Sequence, residues 1–541
     1  MVRESSHRLA VLRGACALAA ALALLAAGLT AASPARASPN LRSMIMDDDL
    51  LVYNTPAVRA FSLDLMKRLG VDGVRVTVSW RFLADDLARR PARLRGARAA
   101  DPRSYRASLW ARYDDLLRDA ADRGMFVLLN PTGPGPRWAH PRAPRSHRFD
   151  QPAWEPNVAA FADFMKALGT RYSGSYRDSG GRLLPRASIW SIWNEPSQPA
   201  SLAPQMDFSP VVGHDIPVAP ILYRELYYAA TASLRATGHG NDTILMGETA
   251  PLGAIRNTAR VHLWPKLFLR EMLCVAPNGR RYTGREAQAR RCNELRRGGP
   301  LLVTGYAHHP YMQRNPPTLR DRDRDSVNLA NLGDLPALLD RLADTTGLIP
   351  RGLPVWLTEA GWETLPPDPT RGISLALQAA YINQAERLAY DQPRVVADTQ
   401  FIFRDVLPVA RFRGNPRQLS QYWATWQSGL LFANGSPKPA LAAYALPLDV
   451  LVAGPLTPDG GRDVRVWGEL RFLSADQTAG VRLQFRYAGS TSWFDVGDPI
   501  TVGNGTRFFD LRLHAPGPGV WRAVSDFGDN QLVSREVSVP F

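Results

Sequence analysis

Short runs of Val, Ile and Leu alternate along most of the chain with longer segments whose apolar residues recur every three to four positions. The short runs read as strands and the long ones as amphipathic helices. Runs at residues 43–46, 74–78, 125–130, 188–193, 243–246, 302–307, 355–357 and 399–403 give eight strands. Helical periodicity spans residues 58–69, 109–123, 158–172, 222–237, 335–345 and 375–390. Gly70, Gly124, Gly238 and Gly347 stand where those helices must stop, because glycine enters the left-handed conformation that ends a helix. Eight strand-then-helix units over roughly 400 residues predict an α/β fold, a (β/α)8 TIM barrel with long insertions, since ordinary barrels need about 250. An open doubly wound sheet is the rival architecture, but no GxGxxG-type phosphate loop follows the first strand.

The texture changes after Pro437-Lys-Pro439 and the helix-like residues 440–445. Segments 464–472, 481–487, 493–496, 507–513, 520–524 and 536–539 are short, partly alternating and separated by Gly, Pro and Asp turns. That spacing predicts a C-terminal all-β sandwich domain over residues 446–541, following a barrel over residues 38–445. Its role is open between spacer, barrel brace and carbohydrate binding.

Residues 1–37 carry Arg3, Arg8 and Arg13, an apolar Ala/Leu run from Gly14, and Ala35-Arg-Ala37. A basic start, an apolar stretch and a small-x-small site make a signal peptide cleaved after Ala37, so the mature protein is expected to be secreted. A retained membrane anchor is the alternative, as the run approaches spanning length. No later stretch is apolar enough to span a bilayer. Setting aside Cys16 in the leader, Cys274 and Cys292 remain, and a lone pair in an exported chain is a plausible disulfide. No Cys/His cluster suggests a metal. The formal charge of +15 raises the question of nucleic acid. It is almost all arginine spread along the chain, with Lys67, Lys166, Lys266 and Lys438 the only lysines after the leader, which does not make a binding patch.

In a barrel of this kind the reacting groups sit where strands end at the C-terminal face. Two carboxylates qualify: Glu195 after Asn194 at the end of the fourth strand, and Glu359 after Thr358 at the end of the seventh. Each follows apolar wall residues directly, and a carboxylate so placed needs a partner or a shifted pKa. Singly, either could cap a helix or pair with one of the arginines. Together across a barrel mouth they supply what glycoside hydrolysis needs, one acid to protonate the leaving oxygen and one to attack the anomeric carbon.

Trp193-Asn-Glu-Pro196 resembles the strand-four signature of clan A glycoside hydrolases, the (β/α)8 retaining enzymes that include families 5 and 39. Thr358-Glu-Ala-Gly-Trp362 resembles their strand-seven motif. The resemblance implies that Glu195 is the general acid/base, Glu359 the nucleophile, and Asn194 a partner for the sugar 2-hydroxyl. Gly73-Val-Arg-Val76 resembles the pattern in which an arginine, here Arg75, supports the nucleophile. His309-Pro-Tyr311 resembles the clan's His-x-Tyr, which would put Tyr311 on the nucleophile and His309 near the acid/base. Surface exposure for Arg75 and simple packing for His309 and Tyr311 are the bland alternatives. Trp423-Ala-Thr-Trp426 resembles the clan's final aromatic stretch, with the stacking residue undecided between Trp423 and Trp426. Trp138 is a weaker platform candidate, and Tyr53 with Asp47, Asp48 and Asp49 either lines the cleft or is solvated. The strand-three histidine common in family 5 is absent.

The expectation is a secreted retaining glycoside hydrolase acting on a β-linked oligosaccharide, polysaccharide or glycoside, with no cofactor or metal and no nucleic-acid partner. A non-catalytic carbohydrate-binding or cell-wall-associated barrel is the alternative, against which stands the presence of both glutamates. A transglycosylase would share every residue.

Overall fold

Strands β1 (Arg42–Met46), β2 (Gly73–Ser79), β3 (Phe126–Thr132), β4 (Ile189–Ser191), β5 (Thr243–Thr249), β6 (Gly305–His308), β7 (Val355–Leu357) and β8 (Val395–Phe401) pair in chain order, all parallel. β8 returns to β1 in the register Arg42↔Ala397 to Met46↔Phe401, which closes the barrel. The computed structural model describes residues 37–540 apart from 252, 254–261, 475, 504, 528 and 529. The expected signal peptide therefore lies, except for Ala37, outside the described residues. No helix among the described residues is long and apolar enough to cross a membrane.

Parallel strands covered on both faces bury nearly every side chain, which is why these segments read as apolar runs. Met44, Leu128, Ile189, Leu245, Ala307, Trp356 and Ala397, from seven different strands, form one packed layer inside the barrel. The outer helices Pro56–Arg68, Val158–Arg171 and Leu375–Tyr390 start on side-chain caps: Thr55, Asn157 and Ser374 accept from Val58 N, Ala160 N and Leu377 N. Gly70 and Gly347 follow helices at φ +81° and +66°, the left-handed stop that the pattern anticipates.

Every strand but β7 differs from its apolar run by one to four residues at one end or both, and three of the differences have a visible cause. β4 ends at Ser191 rather than residue 193, because Trp193 takes φ +69° and turns the chain out of the ladder. β6 starts at Gly305 rather than residue 302: the Thr304 hydroxyl, in place of a backbone carbonyl, accepts from Ile244 N at 2.7 Å. β8 starts four residues early, its period masked by Asp398 and Gln400.

The C-terminal part is a three-stranded sheet packed with a six-stranded one, around Val464, Val481, Phe485, Trp521 and Val537. Strands Leu448–Leu456, Ile500–Gly503 and Asn530–Val533 add to the six segments legible in the sequence. This domain sits against the N-terminal ends of the barrel strands, away from the mouth. Arg507 donates to Asp72, just before β2, at 2.8 Å and to Leu41 O, just before β1, at 3.2 Å. Tyr390 packs on Trp467 and Phe508, and Arg471 is buried among Glu386 and Glu469. A Cβ at Gly70 would lie 2.0 Å from Arg471 O, so glycine there serves the domain contact as well as the helix stop.

The insert between β5 and β6 carries helices Pro265–Met272, Gly284–Ala289 and Cys292–Gly298, and a Cys274–Cys292 disulfide closes it over a separation of 18 residues. A loop of that length restricts the unfolded chain by about 3 kcal/mol. The double variant Cys274→Ala/Cys292→Ala should therefore unfold at lower urea concentration than the parent. Equal midpoints would show that the bridge does not form or does not stabilise.

Candidate active site

Arg75 is the third residue of β2, and its side chain is wholly buried at the centre of the mouth. A buried guanidinium persists only if its donors are met by acceptors and its charge is balanced. Nη1 donates to Glu359 Oε1 at 2.7 Å, and Nη2 reaches Asn194 Oδ1 at 2.7 Å, Glu248 Oε2 at 2.9 Å and Asn130 Oδ1 at 3.2 Å. One planar fork thus ties together the ends of β3, β4, β5 and β7.

The turn after β4 is fixed from β3. Asn130 Nδ2 donates to Ser191 O at 2.9 Å and Trp193 O at 2.6 Å, and Thr132 Oγ1 accepts from Asn194 N at 2.8 Å. Held this way, Trp193 and Glu195 adopt φ +69° and +45°, and Glu248 on β5 adopts φ +52°. Left-handed conformations cost side-chain-bearing residues energy and survive where the surroundings over-determine them. Here they aim one carboxyl into the cleft and another beneath it. Glu195 keeps 20% of its side chain exposed, Glu359 8% and Glu248 none.

His309 and Tyr311 follow β6. Tyr311 donates its hydroxyl to Glu359 Oε2 at 2.9 Å, so both nucleophile-candidate oxygens are engaged, one by Tyr311 and one by Arg75. Burial, reinforced by the charge of Glu359, holds the Tyr311 hydroxyl well above the usual phenol range and keeps it a donor. His309 Nδ1 lies 3.0 Å from Glu195 Oε1, while Nε2 is hydrogen-bonded to Glu248 Oε2. Burial alone would lower the His309 pKa, but Glu359, Glu195 and Glu248 outweigh it and carry it up to about 10. The adjacent His308, bonded to Val327 O and Thr249 Oγ1, is held down to about 3 by burial and stays neutral. Glu248 would be raised by burial, yet Arg75 and His309 bring it down to about 2.

One oxygen of Glu195, one of Glu359 and a ring nitrogen of His309 lie within 4.8 Å of one another. The group is already joined by its own hydrogen bonds, His309 Nδ1 with Glu195 Oε1 and the two Glu359 oxygens with Arg75 and Tyr311. It suits two carboxyls acting on one reacting atom between them.

Six of the residues singled out in the sequence converge here: Arg75, Asn194, Glu195, His309, Tyr311 and Glu359. Trp426 stands at the rim, 46% exposed, with its ring 5.2 Å from Phe401, which in turn lies edge-on to Tyr311 at 6.1 Å. Trp423 instead packs on its neighbour Tyr422 at 4.9 Å. Trp138 is half-buried against Trp80, with the Arg90 guanidinium over its ring at 4.9 Å and its indole N–H on Asp85 O, so it is not offered as a platform. Asp47 is buried and accepts from Leu50 N, Phe403 N and Arg404 N, fastening the loop after β8 to that after β1. Asp48 accepts from Thr77 N at 3.0 Å and its pKa is raised, chiefly by burial, while Asp49 is exposed. Tyr53 is 44% exposed and meets Phe82 edge-on.

Glu248 and Asn130 escape the sequence reading. The signal was available for Glu248: like the other two glutamates it closes an apolar strand, in Met246-Gly-Glu-Thr249. Asn130 also ends its run, as a polar residue that the strand pattern absorbs.

The fold and site define a parallel (β/α)8 barrel with two facing carboxyls at the C-terminal mouth. No family model matches the chain, and no curated protein sequence matches it. Among solved structures, similar ones include a family 39 glycoside hydrolase from the gut symbiont Bacteroides cellulosilyticus WH2, at 15% identity over 88% of this chain and 81% of that one, TM-score 0.43. GH5_18 from Streptomyces cattleya in complex with GlcNAc gives 15% identity over 76% and 79%, TM-score 0.44. The exo-β-1,4-mannosidase Op5Man5 from Opitutaceae bacterium strain TAV5 gives 15% over 75% and 58%, TM-score 0.41. At scores below 0.5 these likenesses carry no weight for the activity, which rests on the residues at the mouth.

Proposed function

We propose that the chain is a retaining glycoside hydrolase that cleaves a β-linked glycan or glycoside through a covalent glycosyl-enzyme. The observation that carries the reading is the pair Glu195 and Glu359, with one oxygen of each within 4.8 Å of the other across the mouth. Double displacement uses carboxyls about 5–5.5 Å apart, whereas single displacement needs about 6.5–9.5 Å to admit a water. Their surroundings also divide the work. Glu359 is nearly buried with both oxygens occupied by donors, as suits a positioned nucleophile, and Glu195 is the more exposed, as suits an acid that must reach a leaving group.

In the first step a Glu359 oxygen bonds the anomeric carbon, the bond to the leaving oxygen breaks, and Glu195 gives that oxygen its proton. In the second, Glu195 takes a proton from water as the water bonds the anomeric carbon and Glu359 departs. Asn194, fixed through Arg75, is placed to hydrogen-bond the sugar. A cavity of about 400 Å3 adjoins the mouth at Tyr311 and is lined beyond it by Met312, Gln313, Asn315, Arg320 and Asn328, which supports a glycan running past the carboxyls, and Trp426, with Arg371 over its ring at 5.6 Å, stands 46% exposed at the rim. Export completes the proposal, supported by the leader-like residues 1–37 and the disulfide.

Screening a panel of aryl β-glycosides and polysaccharides should find a hydrolysed substrate, and NMR of the first sugar released should show the β-anomer before mutarotation. Release of the α-anomer from a β-glycoside would overturn the double displacement.

A further inference from the structure

Glu248 is a third carboxylate at the mouth, wholly buried and out of reach of any substrate. We propose that Glu248 is a positioning residue that keeps His309 protonated on both ring nitrogens, so that His309 Nδ1–H holds Oε1 of Glu195 and leaves Oε2 to carry the catalytic proton. The inference rests on the reading of Glu195 as the acid/base.

The geometry argues it directly. Both His309 nitrogens face carboxyl oxygens, Nδ1 toward Glu195 Oε1 and Nε2 toward Glu248 Oε2. An ionised carboxylate only accepts, so with Glu195 and Glu248 both ionised each contact takes an N–H and the ring is the imidazolium. Without the negative charge behind it, the ring would lose one proton and turn a lone pair toward Glu195 or Glu248. Glu248 is in turn locked from four strands: Ser191 Oγ on β4 and Thr358 Oγ1 after β7 donate to it, with Arg75 on β2 and His309 after β6 as its charged partners. Of the remaining titratable neighbours, His262 faces Glu195 from the loop after β5, and burial holds it below the usual imidazole range. Tyr223, from helix Ala219–Ala236, and Tyr306 are raised by burial and stay protonated, and His308 stays neutral. Asp48 faces Arg75 and Glu359 from the loop after β1. Once Nδ1–H occupies Oε1, the acid form of Glu195 bears its proton on the other oxygen. The proton available for the leaving group is thereby assigned to one atom.

The test uses the full chain. In ¹⁵N-histidine NMR of the wild type, the His309 ring should show both nitrogens protonated at pH 8, the signal being assigned by its loss in His309→Asn. In Glu248→Gln, the His309 titration should fall by about one to three pH units, the range expected for removing a charge in contact. The kcat/KM profile should then gain an ionisation on its alkaline side, with kcat rather than KM affected and poor leaving groups affected most. Glu248→Asp should restore part of the shift. A neutral His309 ring in the wild type at pH 8 overturns the proposal without any change at Glu248, and so does a folded Glu248→Gln whose His309 titration and pH profile match the parent. Absence of any glycosidase activity alongside the expected NMR behaviour would instead refute the acid/base reading and leave the locked imidazolium standing.

Discussion

Replacing Glu359 by alanine is expected to lower turnover of an activated aryl β-glycoside by about 10⁴-fold or more, and added azide is expected to restore it with inverted product. The size of the loss follows from what the residue alone supplies. Arg75 Nη1 at 2.7 Å and Tyr311 at 2.9 Å hold both its oxygens, and the carboxyls near it among the described residues have other places: Glu248 lies wholly buried, Asp48 accepts from Thr77 N, and Glu195 acts on the leaving-group side. Alanine removes the attacking oxygen and opens a space between two donors, Arg75 and Tyr311, that suits a small anion. Azide entering there bonds the anomeric carbon from the vacated face, the aryl oxide departs, and an α-glycosyl azide results from a β-glycoside. Arg75 retains Glu248, Asn130 and Asn194 as partners in the variant, so the fold should persist and thermal unfolding can confirm it. Parental activity in the variant, or a β-azide product, would refute the assignment.

The two carboxyls that bear this prediction could be read from the sequence because each stands directly after buried strand residues. Ile-Trp-Ser-Ile-Trp before Asn194-Glu195 and Val-Trp-Leu before Thr358-Glu359 mark where a wall becomes a mouth. The same signal lay before Glu248 and was weaker, since glycine separates it from the apolar run and no amide or proline accompanies it. The meaning of Glu248 depends on His309, Arg75, Ser191 and Thr358, four residues from four other strands, and only barrel closure brings them together. The tryptophans show the opposite failure. Trp138, Trp423 and Trp426 share composition and loop position, but their local surroundings separate them: Arg90 and Trp80 take up the first, Tyr422 the second, and the third, although Arg371 lies over its ring at 5.6 Å, stays 46% exposed at the rim. The barrel's strand count was legible from periodicity. The docking of the C-terminal domain beneath the barrel was not, because Arg507, Asp72, Arg471 and Glu386 look like surface charges until the two domains pair them, Arg471 and Glu386 buried and Arg507 and Asp72 partly so.

For Glu195→Gln, hydrolysis of substrates with poor leaving groups, such as alkyl glycosides or oligosaccharides, should fall by about 10²–10⁴-fold, the usual contribution of general acid catalysis. Substrates with dinitrophenolate leaving groups should keep a far larger share of their rate in the glycosylation step, because an anion that departs unaided does not need the proton. Glutamine tests the proton and little else. It preserves the length of the side chain and its amide oxygen can still accept from His309 Nδ1, now at 3.0 Å from Glu195 Oε1, so the imidazolium keeps an acceptor on that side. The left-handed turn at residues 193–195 is held by Asn130 and Thr132 and does not depend on the carboxylate. With good leaving groups the second step, in which Glu195 must activate water, becomes limiting, so a pre-steady-state burst of aryl oxide should appear and an added small nucleophile should relieve the block. An equal loss for both substrate classes, with no burst, would show that Glu195 orients the sugar and does not transfer the proton, and the acid/base would have to be sought elsewhere at the mouth.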